Sequence, residues 1–225
     1  ALKYHGGAKV SEVKEKNKEA LEKGIHNLLK HVDNLKNKFN TNVIVAINKY
    51  VEDSEDEIKL LESELKKLDV ELSLADVWSR GGEGAKDLTE KVVELAKNNK
   101  EISYIYDLDD DIKTKIKKVA TRIYGAKSVV YSEKAEESIK RIESLEFTKS
   151  YPICIAKTQY SFSDNPKNLL CDDNYDIHIN EVDLKNGAEF IVAKAGKIMT
   201  MPGLPKTPAA ENIDINENGD IEGIF

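Results

Sequence analysis

The sequence predicts an α/β fold: a mostly parallel sheet with flanking helices, followed by a smaller, loop-rich α+β domain. Helical and strand-like segments alternate along residues 11–145, and residues 42–50 (NVIVAINKY) contain a continuous β-branched run typical of a strand buried in a parallel sheet. After Phe147, glycine and proline become more frequent and helical periodicity fades. We therefore expect two domains, at residues 1–147 and 148–225.

The elements of the first domain follow from periodicity and capping. Apolar residues recur at three- and four-residue steps along residues 11–39, which predicts a long amphipathic helix. Ser54, with Glu57 three residues later, predicts a helix start, as does Ser132. The elements expected after the first helix are strand 42–50, helix 54–68, strand 70–78, helix 85–97, helix 109–124, strand 127–131 and helix 132–145.

The second domain is predicted to contain short strands at 153–156 and 189–193 and a terminal hairpin over 212–225 that turns at Asn218-Gly219. Asp214, Asn216, Asn218 and Gly219 match the opening of a calcium-binding EF loop. Phe225, however, stands where a bidentate Glu is required, so no calcium site is expected.

Composition excludes several classes of protein. The chain has 225 residues, with 34 Lys and Arg against 41 Asp and Glu; the formal charge of −7 argues against a nucleic-acid partner. No apolar stretch approaches the roughly 20 residues that span a bilayer, and the first residues lack signal-peptide order. Cys154 and Cys171 lie far apart without metal-ligand spacing, so we expect reduced thiols, no metal site and a cytoplasmic protein.

Two aromatic residues close the first two predicted strands, Tyr50 and Trp78, the latter being the only tryptophan. Ligands of open parallel sheets bind beyond the carboxyl ends of the strands, and parallel pairing would bring both rings to one edge. The rings could then sandwich a flat ligand. The alternative, that both rings merely cover the sheet edge, stays open.

Glycine clusters at two positions could bring backbone amides to an anion at a helix N-terminus, or could be plain turns. His26 and His31 on a lysine-rich helix, and His178 in an acidic strand, are more typical of solvated side chains than of ligands. The two clusters are His5-Gly6-Gly7 and Gly81-Gly82-Glu83-Gly84.

Five segments, spread in order over essentially the whole chain, together resemble the formate–tetrahydrofolate ligase family. Two of them are unusual in themselves, a dense polar stretch after a strand (156–163) and a run rich in methionine and proline (199–205). The segments are 1–7 (ALKYHGG), 46–50 (AINKY), 78–84 (WSRGGEG), 156–163 (AKTQYSFS) and 199–205 (MTMPGLP).

The resemblance implies an enzyme of one-carbon metabolism that joins formate to tetrahydrofolate with ATP, through formyl phosphate. It further implies Mg2+, a monovalent cation such as K+ or NH4+, and a homotetramer. In the family, aromatic residues at the positions of Tyr50 and Trp78 pack on the pterin and the residue at Leu74 helps to line that pocket, while both glycine clusters face the active cleft. Family members commonly have Phe where Tyr50 stands, and Pro and Thr at Val51 and Glu52.

Family members are longer and carry a phosphate-binding P-loop, whereas no G-x-x-x-x-G-K-[ST] motif occurs here. The resemblance therefore implies a C-terminal portion that contributes the tetrahydrofolate side of the site and needs the N-terminal part of the enzyme as its partner. We expect the portion alone to lack ligase activity, and we assign no catalytic residue. The alternative is a non-catalytic scaffold or oligomerisation module of that enzyme.

Overall fold

The computed structural model describes residues 1–50, 52–170, 174–198 and 207–223. Outside these ranges lie four parts of the chain named in the sequence analysis: Val51, Cys171, segment 199–205 and Phe225. The helices are α1 (Leu2–His5), α2 (Lys18–Asp33), α3 (Glu55–Lys67), α4 (Val77–Arg80), α5 (Lys86–Ala96), α6 (Ile112–Val119) and α7 (Glu133–Glu143). The strands are β1 (Ile44–Asn48), β2 (Glu71–Ala75), β3 (Ser128–Tyr131), β4 (Ile153–Ala156), β5 (Asp176–Lys185), β6 (Phe190–Ala195), β7 (Asp214–Ile215) and β8 (Ile221–Glu222).

β1 and β2 pair in parallel, and each face of this two-stranded sheet carries helices. On one face, Leu72 packs with apolar residues of α2 and α3, among them Leu21 and Leu61. On the other, the Ser73 hydroxyl donates a hydrogen bond of 2.6 Å to Oδ2 of Asp87 on α5. The alternation of side chains along a strand explains this division, since Leu72 and Ser73 point to opposite faces.

The second sheet has the strand order β3-β5-β6-β4, in which β5 and β6 are antiparallel and the two outer pairs are parallel. Its core contains buried isoleucines from both helices and strands, including Ile116, Ile139, Ile177 and Ile191. The predicted α/β class is therefore confirmed. The domain boundary near Phe147 stays a prediction; this sheet combines strands from before and after that residue.

Most predicted helices are present, and their starts have the expected chemistry. The Ser54 side chain accepts a hydrogen bond from the backbone N–H of Glu57, and the Ser132 side chain accepts one from Ala135. The first long helix begins at Lys18 rather than near residue 11, because Asn17 accepts a hydrogen bond from the Ala20 N–H and caps α2 there. A π-helical turn, Asn34–Lys38, extends it to the expected end.

The prediction was wrong about the end of the second strand. β2 ends at Ala75, and Trp78 lies instead in the short helix α4. The terminal hairpin is confirmed by the antiparallel pair β7 and β8. Cys154 is a free thiol. In the ranges that the structure describes, no helix is long and apolar enough to cross a bilayer.

Candidate functional site

A cleft of about 600 Å³ lies beyond the carboxyl ends of β1 and β2. The parallel register ends with Asn48 beside Ala75, so the segments that follow both strands leave the sheet at one edge. This volume falls within the range usual for small-molecule sites. We call it the aromatic cleft; its lining residues are Lys14, Asn48, Lys49, Tyr50, Glu52, Asp76, Trp78 and Ser79.

Tyr50 enters the aromatic cleft from a closed turn after β1. Its backbone N–H donates a 2.9 Å hydrogen bond to Oδ2 of Asp53, and the Asp53 N–H donates back to the Tyr50 carbonyl at 3.1 Å. The Asn48 side-chain amide donates to the Tyr50 hydroxyl at 3.3 Å. The turn holds the backbone while 63% of Tyr50 stays exposed, which leaves ring surface for a ligand.

Trp78 is held by the glycine loop that follows it. The Asp76 N–H donates a 3.1 Å hydrogen bond to the Gly84 carbonyl, and a Cβ on Gly84 would overlap the Asp76 carbonyl oxygen. Gly81 has a φ of +56°, which favours glycine. The turn interpretation thus explains two of these glycines, and the loop fixes the start of α4 while Trp78 stays 88% exposed.

Leu74, the third residue predicted for the pterin pocket, is partly buried on β2 beside Ile47 of β1 and is not among the lining residues of the aromatic cleft. Charged side chains border the cleft instead. Lys14 and Glu52 form an ion pair of 2.9 Å, and the hydrogen bond from Lys14 holds the pKa of Glu52 below its ordinary value. The sequence analysis did not identify this pair, whose members lie far apart in the chain.

A second cleft, of about 250 Å³, joins His5 to the polar stretch after β4. We call it the basic cleft, because His5, His31 and Lys157 are among its residues. Lys157 Nζ donates hydrogen bonds to the carbonyls of Thr158 and Ser163, each at 3.1 Å, and to that of Ser161. The full lining is His5, Asn27, His31, Tyr124, Lys157, Thr158, Gln159, Tyr160, Ser161 and Phe162.

Close helix packing sets the position of His5. A Cβ on Gly6 would overlap the Ala20 carbonyl oxygen, and one on Gly24 would overlap that of Leu2, so only glycine lets α1 approach α2 so closely. Lys3 on α1 also forms a 3.4 Å ion pair with Glu57 of α3. The seven-residue segment around His5 (1–7) is therefore built into the helical layer.

Burial in the basic cleft lowers the pKa of His5 and that of His31. Burial also lowers the pKa of Lys157 to about 8, against the opposing effect of Asp164. The ammonium lies above the Tyr124 ring, 4.9 Å from its centroid. A low dielectric penalises each positive charge, and the charges of His5 and Lys157 lower the pKa of His31 further.

His31 is exposed, as expected for a solvated side chain. Its ring also packs against Phe162 with the centroids 4.6 Å apart, and it lines the basic cleft. His26 is exposed, as expected. His178 is exposed as well, but its Nδ1 lies 2.9 Å from Oδ2 of Asp164. No pattern within α2 distinguishes His31 from His26, because the contact with Phe162 joins residues distant in the chain.

The two glycine clusters contribute differently to the two clefts. His5 lines the basic cleft, whereas Gly6 and Gly7 follow it at the end of α1. None of the four residues of the second cluster is among the lining residues of the aromatic cleft. Among the described residues, no group of three or more His, Cys, Asp or Glu side chains is arranged to hold a metal ion.

Comparisons with known proteins agree with the resemblance of the five segments. The family model of formate–tetrahydrofolate ligase matches residues 1–225. A curated formate–tetrahydrofolate ligase from Limosilactobacillus reuteri subsp. reuteri (strain JCM 1112) is 46% identical over 226 aligned residues, which include all of this chain. The chain spans 40% of that relative's length. It belongs to the formate–tetrahydrofolate ligase family.

Proposed function

We propose that this chain supplies the tetrahydrofolate side of a ligase that joins formate to tetrahydrofolate with ATP, giving 10-formyltetrahydrofolate. One observation carries the proposal: the parallel ends of β1 and β2 bring Tyr50 and Trp78, both largely exposed, into a single cleft of about 600 Å³. A pterin is a flat ring system, and stacking on an aromatic side chain contributes about 0.5–1.5 kcal/mol beyond the burial of area.

In this proposal the chain binds and orients the pterin, and the rest of the enzyme activates formate. Formate attacks the γ-phosphorus of ATP to give formyl phosphate and ADP. N10 of tetrahydrofolate then attacks the formyl carbon; the N–C bond forms, the C–O bond to phosphate breaks and N10 loses its proton. Phosphate transfer of this kind needs backbone donors, a lysine and Mg2+ around the phosphates. We assign that ion and the monovalent cation to no residue of this chain.

The test is a kinetic comparison in the full-length enzyme. We expect Trp78→Ala to raise KM for tetrahydrofolate at least tenfold and to leave KM for ATP and formate unchanged, since the ring contacts only the pterin. Trp78→Phe should retain most of the affinity. Phe147→Ala is the matched control, because Phe147 is 55% exposed and lies outside the aromatic cleft. An unchanged KM for tetrahydrofolate in Trp78→Ala would refute the assignment.

A specific observation also favours the scaffold role as a second function. Helix α5 has no buried residue, and Val92 and Val93 on it are about half exposed. Ile102 and Tyr104, which follow α5, are also exposed. Since the curated relative is about 2.5 times as long as this chain, we propose that this apolar surface packs against the remainder of the same polypeptide.

Val93→Asp tests that second role in the full-length enzyme. We expect a lower melting temperature with the oligomeric state unchanged, because a charge would be buried between parts of one polypeptide. Dissociation of a tetramer instead would place the surface between subunits. An unaltered melting temperature and unaltered assembly would show that nothing covers this surface.

A further inference from the structure

The basic cleft is separate from the aromatic cleft; they share no lining residue. Its three basic side chains come from three segments: His5 from α1, His31 from α2 and Lys157 from the loop after β4. Among the described residues that line it, none is Asp or Glu. Three cationic or protonatable groups therefore converge on a small space, and the part of its wall that the structure describes carries no carboxylate.

Lys157 contributes charge to the basic cleft rather than a free hydrogen-bond donor. Its three ammonium donors already serve three carbonyls of its own loop, and the Tyr124 ring covers it. The Phe162 ring, which is 7% exposed, forms part of the wall beside His31. Apolar walls strengthen an electrostatic interaction with a bound ion, since the local dielectric is lower than that of water.

The histidines still have donors for a ligand. His5 makes one hydrogen bond with the Tyr160 backbone, which raises its pKa against the effect of burial, and a protonated ring has a second N–H. His31 is exposed and His5 is partly exposed, so both rings can be reached from solvent. A protonated imidazole donates from both ring nitrogens, and a charge-assisted hydrogen bond to an oxyanion is among the stronger protein interactions. The close packing of α1 on α2 holds both histidines in place before any ligand binds.

We propose that the basic cleft is a binding subsite for a small oxyanion, a carboxylate or a phosphate group, held by His5 and His31 and attracted by the charge of Lys157. The proposal does not depend on pterin binding in the aromatic cleft. It assigns a ligand to His31, which the sequence left without one.

Binding of an anion would stabilise the protonated histidines and raise the pKa of each. Burial lowers both pKa values in the ion-free cleft. The other charges that act on this cluster are the amino group of Ala1, which opposes protonation of His5, and Asp164, which favours the charged form of Lys157. Tyr124 remains neutral while the histidines titrate, because burial raises its pKa.

The experiment is an NMR titration of the four histidines in the 225-residue chain, at constant ionic strength, with sodium phosphate, sodium formate or sodium chloride. We expect a saturable rise in the pKa of His5 and His31 with at least one oxyanion, and none with chloride. A one-unit rise corresponds to a tenfold difference in affinity between the two protonation states. A response to phosphate alone, or to formate alone, identifies which oxyanion the subsite takes.

His26 and His178 are internal controls, because both are exposed outside the basic cleft. In His31→Gln, at least ten times more oxyanion should be needed to raise the pKa of His5 by the same amount. His26→Gln should not change the concentration needed. Trp78→Ala should also leave it unchanged, which separates this subsite from the pterin proposal. Equal shifts in all four histidines, no saturable shift, or an unchanged response in a folded His31→Gln would overturn the proposal.

Discussion

Asn48, the last residue of β1, lies directly beside Ala75, the last residue of β2, in a parallel register. Both strands therefore end at one level, and Tyr50 and Trp78 follow two and three residues later. No direct contact between the rings is needed for them to share a cleft; the sheet register alone places them at the same edge. The proposed pterin site depends on this relationship more than on either side chain alone.

Tyr50 should act through its ring and not through its hydroxyl. Among the described residues, the Tyr50 hydroxyl accepts one weak hydrogen bond, 3.3 Å from the Asn48 side-chain nitrogen. We expect Tyr50→Phe to keep tetrahydrofolate affinity within about threefold and Tyr50→Ala to lower it about tenfold. Quenching of Trp78 fluorescence measures both, because Trp78 is the only tryptophan of the chain. Weaker binding of tetrahydrofolate by Tyr50→Phe than by Tyr50→Ala would contradict the prediction.

Gly84 should be required for stability and tetrahydrofolate binding, whereas Gly82 should be replaceable. A Cβ on Gly84 overlaps the Asp76 carbonyl oxygen, whereas one on Gly82 meets no atom within 4 Å and the φ of Gly82 is not positive. We expect Gly84→Ala to reduce the free energy of unfolding by about 1–3 kcal/mol and to weaken tetrahydrofolate binding, because the start of α4 must move. Chemical denaturation measures the change. Gly82→Ala is the control and should stay within about 0.5 kcal/mol of the wild type.

Glu57 should make stability depend on pH in the acid range. This buried carboxylate accepts hydrogen bonds from the Asn17 N–H at 2.9 Å and from the Ser54 hydroxyl at 3.0 Å, and it pairs with Lys3. Burial alone would raise its pKa, but these donors and the charge of Lys3 outweigh burial, and the pKa lies below the ordinary value of 4.5. The stabilisation is therefore complete above pH 4.5 and is lost as the pH falls through the lowered pKa.

Glu57→Gln should lower the free energy of unfolding at pH 7 by about 1–3 kcal/mol and flatten its decline in acid. Thermal unfolding between pH 3 and pH 7 measures both. Glu62→Gln on the same helix is the matched control, since Glu62 is exposed. An equal acid slope in Glu57→Gln and wild type would show that other carboxylates cause the decline.

Local patterns predicted the parts of this fold that local physics determines. The caps at Ser54 and Ser132 and the strand at 153–156 needed only side-chain chemistry and periodicity over a few residues. The common edge for Tyr50 and Trp78 was also predictable, because parallel pairing brings strand ends together. Trp78 itself was assigned to a strand because 70–78 was taken as one strand, whereas α4 starts after Asp76, a residue type favoured at helix starts.

Contacts between distant segments could not be predicted from the sequence. β5 pairs with both β3 and β6, one in parallel and one antiparallel, and a single sequence does not specify such partners. The same limit hid the basic cleft, in which His31 meets Phe162 across more than 130 residues. The sequence marked His5 and the polar stretch 156–163 as separate segments, but only the folded chain brings them together.

The most direct test of the central claim is calorimetric titration of tetrahydrofolate into the 225-residue chain, with Trp78→Ala and Phe147→Ala in parallel. If this chain itself holds the pterin in the aromatic cleft, the wild type and Phe147→Ala will give saturable heat and Trp78→Ala will bind at least tenfold more weakly. Binding of equal strength in Trp78→Ala, or no heat from the folded wild-type chain, would contradict the claim.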